Sequence, residues 1–195
     1  MQRGLLISII DVFCFLYYSL KEIVFMKEIS SWHVGVAAEA YAAAVFARYG
    51  YDVSVQYGAN QPEYDLIAVS GDKILKISVK GSQDGGWGLT QNYKKGCNYH
   101  EAIDKWLKAH HKKTIFCLVQ FQNTNPNEMP RIYLASPNEI ADMLKLSAGG
   151  RGETVLRENH TWGPRAAGKG TTDTIPDKWR ISAERLKYMF NTYGQ

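Results

Sequence analysis

Cysteine is scarce in this chain. Cys14, Cys97 and Cys117 are spread over 195 residues, an odd number with no CxxC. That pattern argues against a disulfide framework and for a reducing, cytoplasmic setting in which the thiols act as small buried hydrophobes. A zinc site has little to build on. Cys97 and His100 share a CxxH spacing, but no second ligand pair accompanies them. There is no Walker A sequence and no GxGxxG spacing, so the usual phosphate cradles of nucleotide-hydrolysing proteins are missing. No internal repeat is visible. Charge of one sign is not dominant either: 23 Lys and Arg stand against 19 Asp and Glu, a formal net charge of +4. This is compatible with a polyanionic partner without demanding one.

Clean apolar runs long enough to cross a membrane are also lacking. Residues 4–20, GLLISIIDVFCFLYYSL, come nearest, but Ser8, Asp11 and Ser19 interrupt them. A span needs about 20 predominantly apolar residues. Only Arg3 precedes the stretch and no A-x-A cleavage site follows, which fits a secretory signal poorly. The segment reads as a docked amphipathic helix, a weak anchor, or an extension outside the working protein. The last is favoured, because Met26 opens MKEISSWHVG, a natural start for a soluble domain. A membrane partner is not expected. The expected organisation is an N-terminal extension over 1–25, a main domain over 26–146, and a basic loop or arm with a C-terminal helix over 147–195.

What is present is an ordinary globular composition, 45% hydrophobic and 22% charged, with enough length to bury a core without staples. Residues 33–49, HVGVAAEAYAAAVFARY, form the strongest helix, rich in alanine. Ser30 or Ser31 is the expected N-cap and Gly50 the C′ residue. Val34, Ala38, Tyr41 and Val45 recur at helical spacing and should face the core, with Glu39 at the edge of that stripe. Residues 51–57 alternate as a strand, 58–63 make a turn, and 64–69 are a second strand. Ser70-Gly71-Asp72 turns the chain into a third, 73–80. In it Leu75, Ile77 and Val79 face one way, and Lys76, Ser78 and Lys80 the other.

Residues 81–97 read as a glycine-rich loop, 99–110 as an amphipathic helix, and 114–121 as a buried strand. A short strand follows at 131–135, then a helix to about Leu146 with Ser136 as N-cap and Pro137 at N1. Residues 147–177 read as a long loop or partly ordered arm, and a final helix starts near 181 with Ser182 as cap. The fold class is α/β, a mixed central sheet flanked by helices.

The chemistry concentrates in GVAAEAYAAAVFARYGYDVSVQYG, PEYDLIAV and KILKISVKGS. Asp65 stands at the head of an otherwise apolar strand, and Lys80 ends the next strand of the same hairpin. Plainer roles exist for each: Asp65 suits a turn cap, Lys80 a solvated strand end, Glu39 a helix surface. Taken together, the three segments resemble the PD-(D/E)XK nuclease superfamily, which includes restriction endonucleases and Holliday-junction resolvases. The resemblance covers about residues 33–121 and implies an αβββαβ core. It implies Glu39, Asp65 and Lys80 as the helix glutamate, strand aspartate and strand lysine of the family motif. It departs at Ser78, where the family usually places an acid, although some intron-homing relatives carry a neutral polar residue there.

The resemblance implies a Mg²⁺ (or Mn²⁺) ion held by Glu39, Asp65 and the Val79 carbonyl, with Glu63 a further available carboxylate. The implied activity is phosphodiester hydrolysis in DNA. The alternative is a catalytically silent nucleic-acid-binding or assembly module on the same fold. Homodimers are common among such folds, but no interface is specified.

Weaker signals surround this set. Gln83, Trp87, Thr90, Gln91, Tyr93, Lys94 and Lys95 follow the lysine strand and suit either a nucleic-acid groove or a cover for the sheet. His110-His111-Lys112-Lys113 reads as a solvated helix end. Residues 145–195 hold nine basic and five acidic residues, an excess equal to the whole chain's. Arg151 and Lys169 are the candidate phosphate contacts there, beside Gln83, Lys94 and Lys95.

Overall fold

The computed structural model describes residues 29–56, 63–110 and 112–195. The apolar stretch 4–20, Cys14, most of the turn 58–63 and His111 lie outside them. Helix α1 runs Ser31–Arg48, followed by strands β1 (Asp52–Val55), β2 (Leu66–Ser70) and β3 (Lys73–Ser82). Helix α2 spans Tyr99–Ala109, β5 Thr114–Gln120, β6 Arg131–Ala135, α3 Pro137–Leu146 and α4 Ala183–Tyr193. A short strand β4 (Gly86–Gly88) precedes α2, and β7 (Val155–Arg157), β8 (Asn159–Thr161) and β9 (Thr172–Thr174) follow α3.

The main sheet has the order β1-β2-β3-β5-β6. Strands β1, β2 and β3 form an antiparallel meander, β3 and β5 run parallel, and β6 returns antiparallel. The parallel step requires a crossover, and α2 supplies it. This is the mixed α/β architecture and the αβββαβ order expected from the sequence.

Each flank buries one side of the alternating strands. Leu66, Leu75, Ile77, Cys117 and Leu134 join Ala38, Ala42, Phe46 of α1 and Leu186, Met189, Phe190 of α4 in one core. Phe116, Leu118 and Tyr133 join Ile103 and Trp106 of α2, Ile140 and Leu144 of α3, and Trp87 in the other. Every residue of β5 is buried, which is why it reads as an unbroken apolar run rather than an alternating one.

Local signals set the element ends. Asn98 with Glu101, and Ser136 with Glu139, form complete capping boxes, and Pro137 opens α3. Such caps contribute about 1 kcal/mol each. Ser182 accepts a hydrogen bond from the Arg185 amide at the start of α4. Gly50 takes φ +85° just past α1, the left-handed conformation that ends a helix cheaply only with glycine.

Three expectations need correction. Helix α1 begins at Ser31, so Ser31 is helical rather than a cap. Ala42, not Tyr41, completes the buried stripe of α1; Tyr41 is half-buried and tilts against Phe121 at 5.8 Å between ring centres. The segments read as loops carry structure: β4 pairs with β7, and β8 pairs with β9. Three-residue strands have no readable period, and the partner of β4 lies some 70 residues away in β7. Ser31–Gln195 form one unit, with α4 packed into the first core. Among the described residues no helix is long and apolar enough to cross a membrane.

Candidate active site

The antiparallel meander comes apart at one end, and the opening is the candidate site. Pairing of β2 with β3 stops at Leu66↔Ile77, with one more backbone bond from the Asp65 amide to the Ile77 carbonyl at 2.8 Å. Strand β3 continues through Ser82 against β5 alone. Asp65 thus sits just before β2 rather than in it, and its side chain takes over where the ladder ends. Its Oδ2 accepts from the Val79 amide at 2.5 Å and the Ser78 hydroxyl at 3.4 Å, and lies 3.9 Å from Lys80 Nζ. Among the described residues none of these contacts falls on Oδ1.

The Val79 amide points at the edge β2 has vacated. In an extended strand the carbonyl of a residue points the same way as its amide, so the Val79 carbonyl faces that opening too. Ser78 and Lys80 share the opposite face from Leu75, Ile77 and Val79, as the alternation required. Ser78 is buried and Lys80 exposed.

Glu39 arrives from α1. Its carboxyl is held above the ordinary 4.5, first by burial and then by the negative charge of Asp65, while Lys80 pulls the other way. The charge of Asp65 also adds to burial in raising the Cys117 thiol on the neighbouring strand. The charges of Asp65 and Lys80 therefore both act on Glu39.

Two residues fix this geometry: Gly81, which the sequence reading passed over, and Trp87, which it read only as a groove or cover residue. A side chain on Gly81 would put its Cβ 2.8 Å from the Val34 carbonyl and 2.9 Å from Ala38 Cβ. Gly81 is thus what lets α1 lie directly on the end of β3, and Glu39 is the residue next to that contact. Trp87, in β4, is buried at 2% exposure and donates its indole N–H to the Lys80 carbonyl at 2.9 Å. This bond holds the lysine's backbone from the other side of the sheet. The signals were in view: a glycine inside a strand often marks close backbone approach, and a buried tryptophan seeks an acceptor.

An Asp–Lys pair 3.9 Å apart with an exposed lysine contributes about 0–1 kcal/mol, and two carboxylates drawn toward each other cost stability. The cluster is therefore poorly explained as a device for holding the fold. It offers two carboxylates, a backbone carbonyl, a hydroxyl and an ammonium around one opening, the donors of a hard divalent cation and of a phosphate. Among the described residues no three His, Cys, Asp or Glu side chains are grouped to hold a metal. Exposed Glu63 therefore does not complete a three-carboxylate set.

The surrounding residues fall out unevenly. Trp87 and Thr90 are buried, so neither lines a groove. Gln83 and Lys95 are exposed, the former directly after β3. Lys94 lies over the Tyr99 ring at 4.6 Å and donates to the Cys97 carbonyl. Arg151 packs between Tyr99 and Trp162 and pairs with Glu153 at 2.6 Å. Lys169 is exposed in the connection between β8 and β9. His110 is half-buried against Trp106, bonded to its carbonyl at 2.7 Å.

No protein-family model and no curated protein matches the chain. Solved structures do. A bacterial homing endonuclease superposes with a TM-score of 0.45 at 14% identity, over 85% of this chain and 95% of that one. A Holliday junction resolvase from the archaeal hyperthermophile Archaeoglobus fulgidus gives 0.35 at 15% identity, over 64% of this chain and 88% of the resolvase. These are likenesses of backbone course between distant sequences, and the site stands on its own geometry.

Proposed function

We propose that this chain is a metal-dependent nuclease that hydrolyses phosphodiester bonds in DNA, with Glu39, Asp65, Ser78 and Lys80 as its active-site residues. The observation that carries this reading is the convergence of Glu39, Asp65 and Lys80 where β2 and β3 separate. The donor set fits a divalent ion: Glu39, the Oδ1 side of Asp65 and the Val79 carbonyl would hold Mg²⁺ or Mn²⁺. Mg²⁺ in particular is commonly held by one or two carboxylates plus waters and substrate phosphate. When bound, the ion supplies an activated water and neutralises charge on the phosphate.

The protein's own groups do the remaining work. The Val79 amide and the Ser78 hydroxyl pin one carboxylate oxygen of Asp65 and so fix the direction of the other. The Lys80 ammonium lies where negative charge develops on the phosphate and stabilises it. The raised affinity of Glu39 for a proton is what a cation site looks like before the cation compensates it.

The second reading, a silent DNA-binding module, is favoured by Ser78, which contributes no charge where a third carboxylate would complete the metal site. Purified protein is incubated with plasmid and branched DNA, with and without Mg²⁺ or Mn²⁺, beside Asp65→Ala and Lys80→Ala. Metal-dependent cleavage that falls at least about a hundredfold in Lys80→Ala, and is lost in Asp65→Ala, supports the enzyme. Salt-sensitive binding without cleavage of any substrate leaves only the module. Ser78→Glu adds the missing carboxylate and is expected to tighten Mn²⁺ binding; unchanged affinity would mean that Ser78 does not face the ion.

A further inference from the structure

We propose that Arg157 binds a backbone phosphate of the DNA strand that enters the site; this rests on the nuclease or DNA-binding reading given above. Arg157 ends β7, opposite Gly86 of β4. Four arginines in the described residues are buried or half-buried: 131, 151, 157 and 185. Three of them hold a carboxylate: Arg131 pairs with Glu158, Arg151 with Glu153, and Arg185 with Glu139. Arg157 makes no ion pair among the described residues, and its Nε is sealed from solvent without a hydrogen-bond partner. An Nε covered without an acceptor is costly, and the terminal guanidinium nitrogens, not sealed in this way, are left for an outside acceptor. The group that suits them is a planar-fork acceptor, a phosphate above all.

The neighbours rule out an internal partner in sequence and point to the site. Glu158, the next residue, faces the other way and is held by Arg131 at 2.7 and 2.8 Å and by the Tyr133 hydroxyl at 2.7 Å. Gly86 presents no side chain to Arg157; a Cβ there would lie 3.4 Å from Arg157 Cδ and 2.9 Å from Val155 Cγ1. The absent side chain lets the arginine stem lie across the β4–β7 ribbon. The same ribbon carries Trp87, opposite Leu156, which grips the Lys80 carbonyl. Arg157 is therefore one residue along the ribbon from the contact that positions the candidate catalytic lysine, with its side chain on the ribbon face opposite Trp87 and Leu156. A strand whose scissile phosphate meets Lys80 has further phosphates to place beyond it, and Arg157 supplies the cation for one.

The test is DNA binding by the full chain in metal-free buffer, followed by fluorescence anisotropy of a labelled duplex across a salt series. Arg157→Gln is expected to weaken binding several-fold and to lower the slope of log affinity against log salt by about one. Arg157→Lys is expected to keep the slope, because it keeps the charge. Thermal unfolding of Arg157→Gln is expected at or above the wild-type temperature, since an unpaired cation is removed. Equal affinity and slope in wild type and Arg157→Gln would overturn the assignment while leaving the nuclease reading standing. Absence of salt-dependent binding by wild type would overturn both. Inorganic phosphate that raises the unfolding temperature of wild type but not of Arg157→Gln, with DNA affinity equal in the two, would make this a free-anion site and overturn the assignment to DNA.

Discussion

Two carboxylates of this protein sit in comparable half-buried positions and are treated in opposite ways. Glu158 is buried enough for desolvation to push its proton affinity up. The fork of Arg131, the Tyr133 hydroxyl and the charge of Arg180 outweigh that, and its carboxyl ends below the ordinary value. Glu39 is also raised by desolvation, but its nearest charged neighbours are a second carboxylate and a lysine that only partly offsets it, and it ends above. The Glu158 cluster closes its own electrostatics and ties β6 to the segment after β7. The Glu39 cluster leaves its electrostatics open. Under the proposed function, the second place is kept for a cation.

The comparison can be broken from either side. The largest stability effect is expected at the closed cluster. Glu158→Gln leaves Arg131 half-buried without its counter-charge and should cost about 1.5–3 kcal/mol in urea unfolding, with DNA cleavage retained per folded molecule. An effect under about half a kcal/mol would remove the distinction between the clusters. Next comes Gly81→Ala. The added methyl must displace α1 backbone, because the Val34 carbonyl lies within 2.8 Å of its position. The expected cost is about 1–3 kcal/mol, accompanied by a fall in cleavage as Glu39 is carried away from Asp65. Wild-type activity in this variant would show that α1 is not held to the site by that contact.

The smallest effect is expected at Glu39 itself. Glu39→Gln should change stability at neutral pH by no more than about 0.5 kcal/mol, and upward. Its pH dependence has a definite sign. A carboxyl whose folded pKa is raised above the unfolded 4.5 binds more protons folded than unfolded in that window. Stability from Glu39 is therefore lost as pH rises from 4.5 through the folded pKa, and Glu39→Gln should gain on wild type over that rise. For Glu158 the folded value lies below 4.5. Its contribution is present above 4.5 and lost as pH falls through the folded value, so the deficit of Glu158→Gln should shrink below pH 4.5. Unfolding temperatures across acidic pH check both signs at once.

The helix glutamate, the aspartate at the strand head and the lysine at the strand end were legible because each sits in an element with a strong local signal. An alanine-rich helix stops just before Gly50, and the strand read over 73–80 has Leu75, Ile77 and Val79 on one face. Order along the chain then made Glu39, Asp65 and Lys80 the candidate set. What was not legible depends on distant partners. Strand β4 exists because β7 pairs with it, and Trp87 becomes a clamp on Lys80 only because that pairing buries it. The segment 147–177 reads as an arm because its strands are three residues long, yet Asp173 anchors it by accepting from the Ala148 amide and the Trp162 indole. Arg157 was invisible for the same reason. Its significance lies in a carboxylate that is not there, and sequence alone does not show which of the chain's carboxylates are already taken.

The open electrostatics at Glu39 and Asp65 are tested most directly by counting bound Mn²⁺ with electron paramagnetic resonance, in wild type and in the Glu39→Gln, Asp65→Asn double variant. One bound ion in the presence of DNA, lost in the double variant whose fold and unfolding temperature are retained, is the expected result. Equal Mn²⁺ binding by the two proteins, or none by either, would contradict the assignment of a metal site to this end of the sheet.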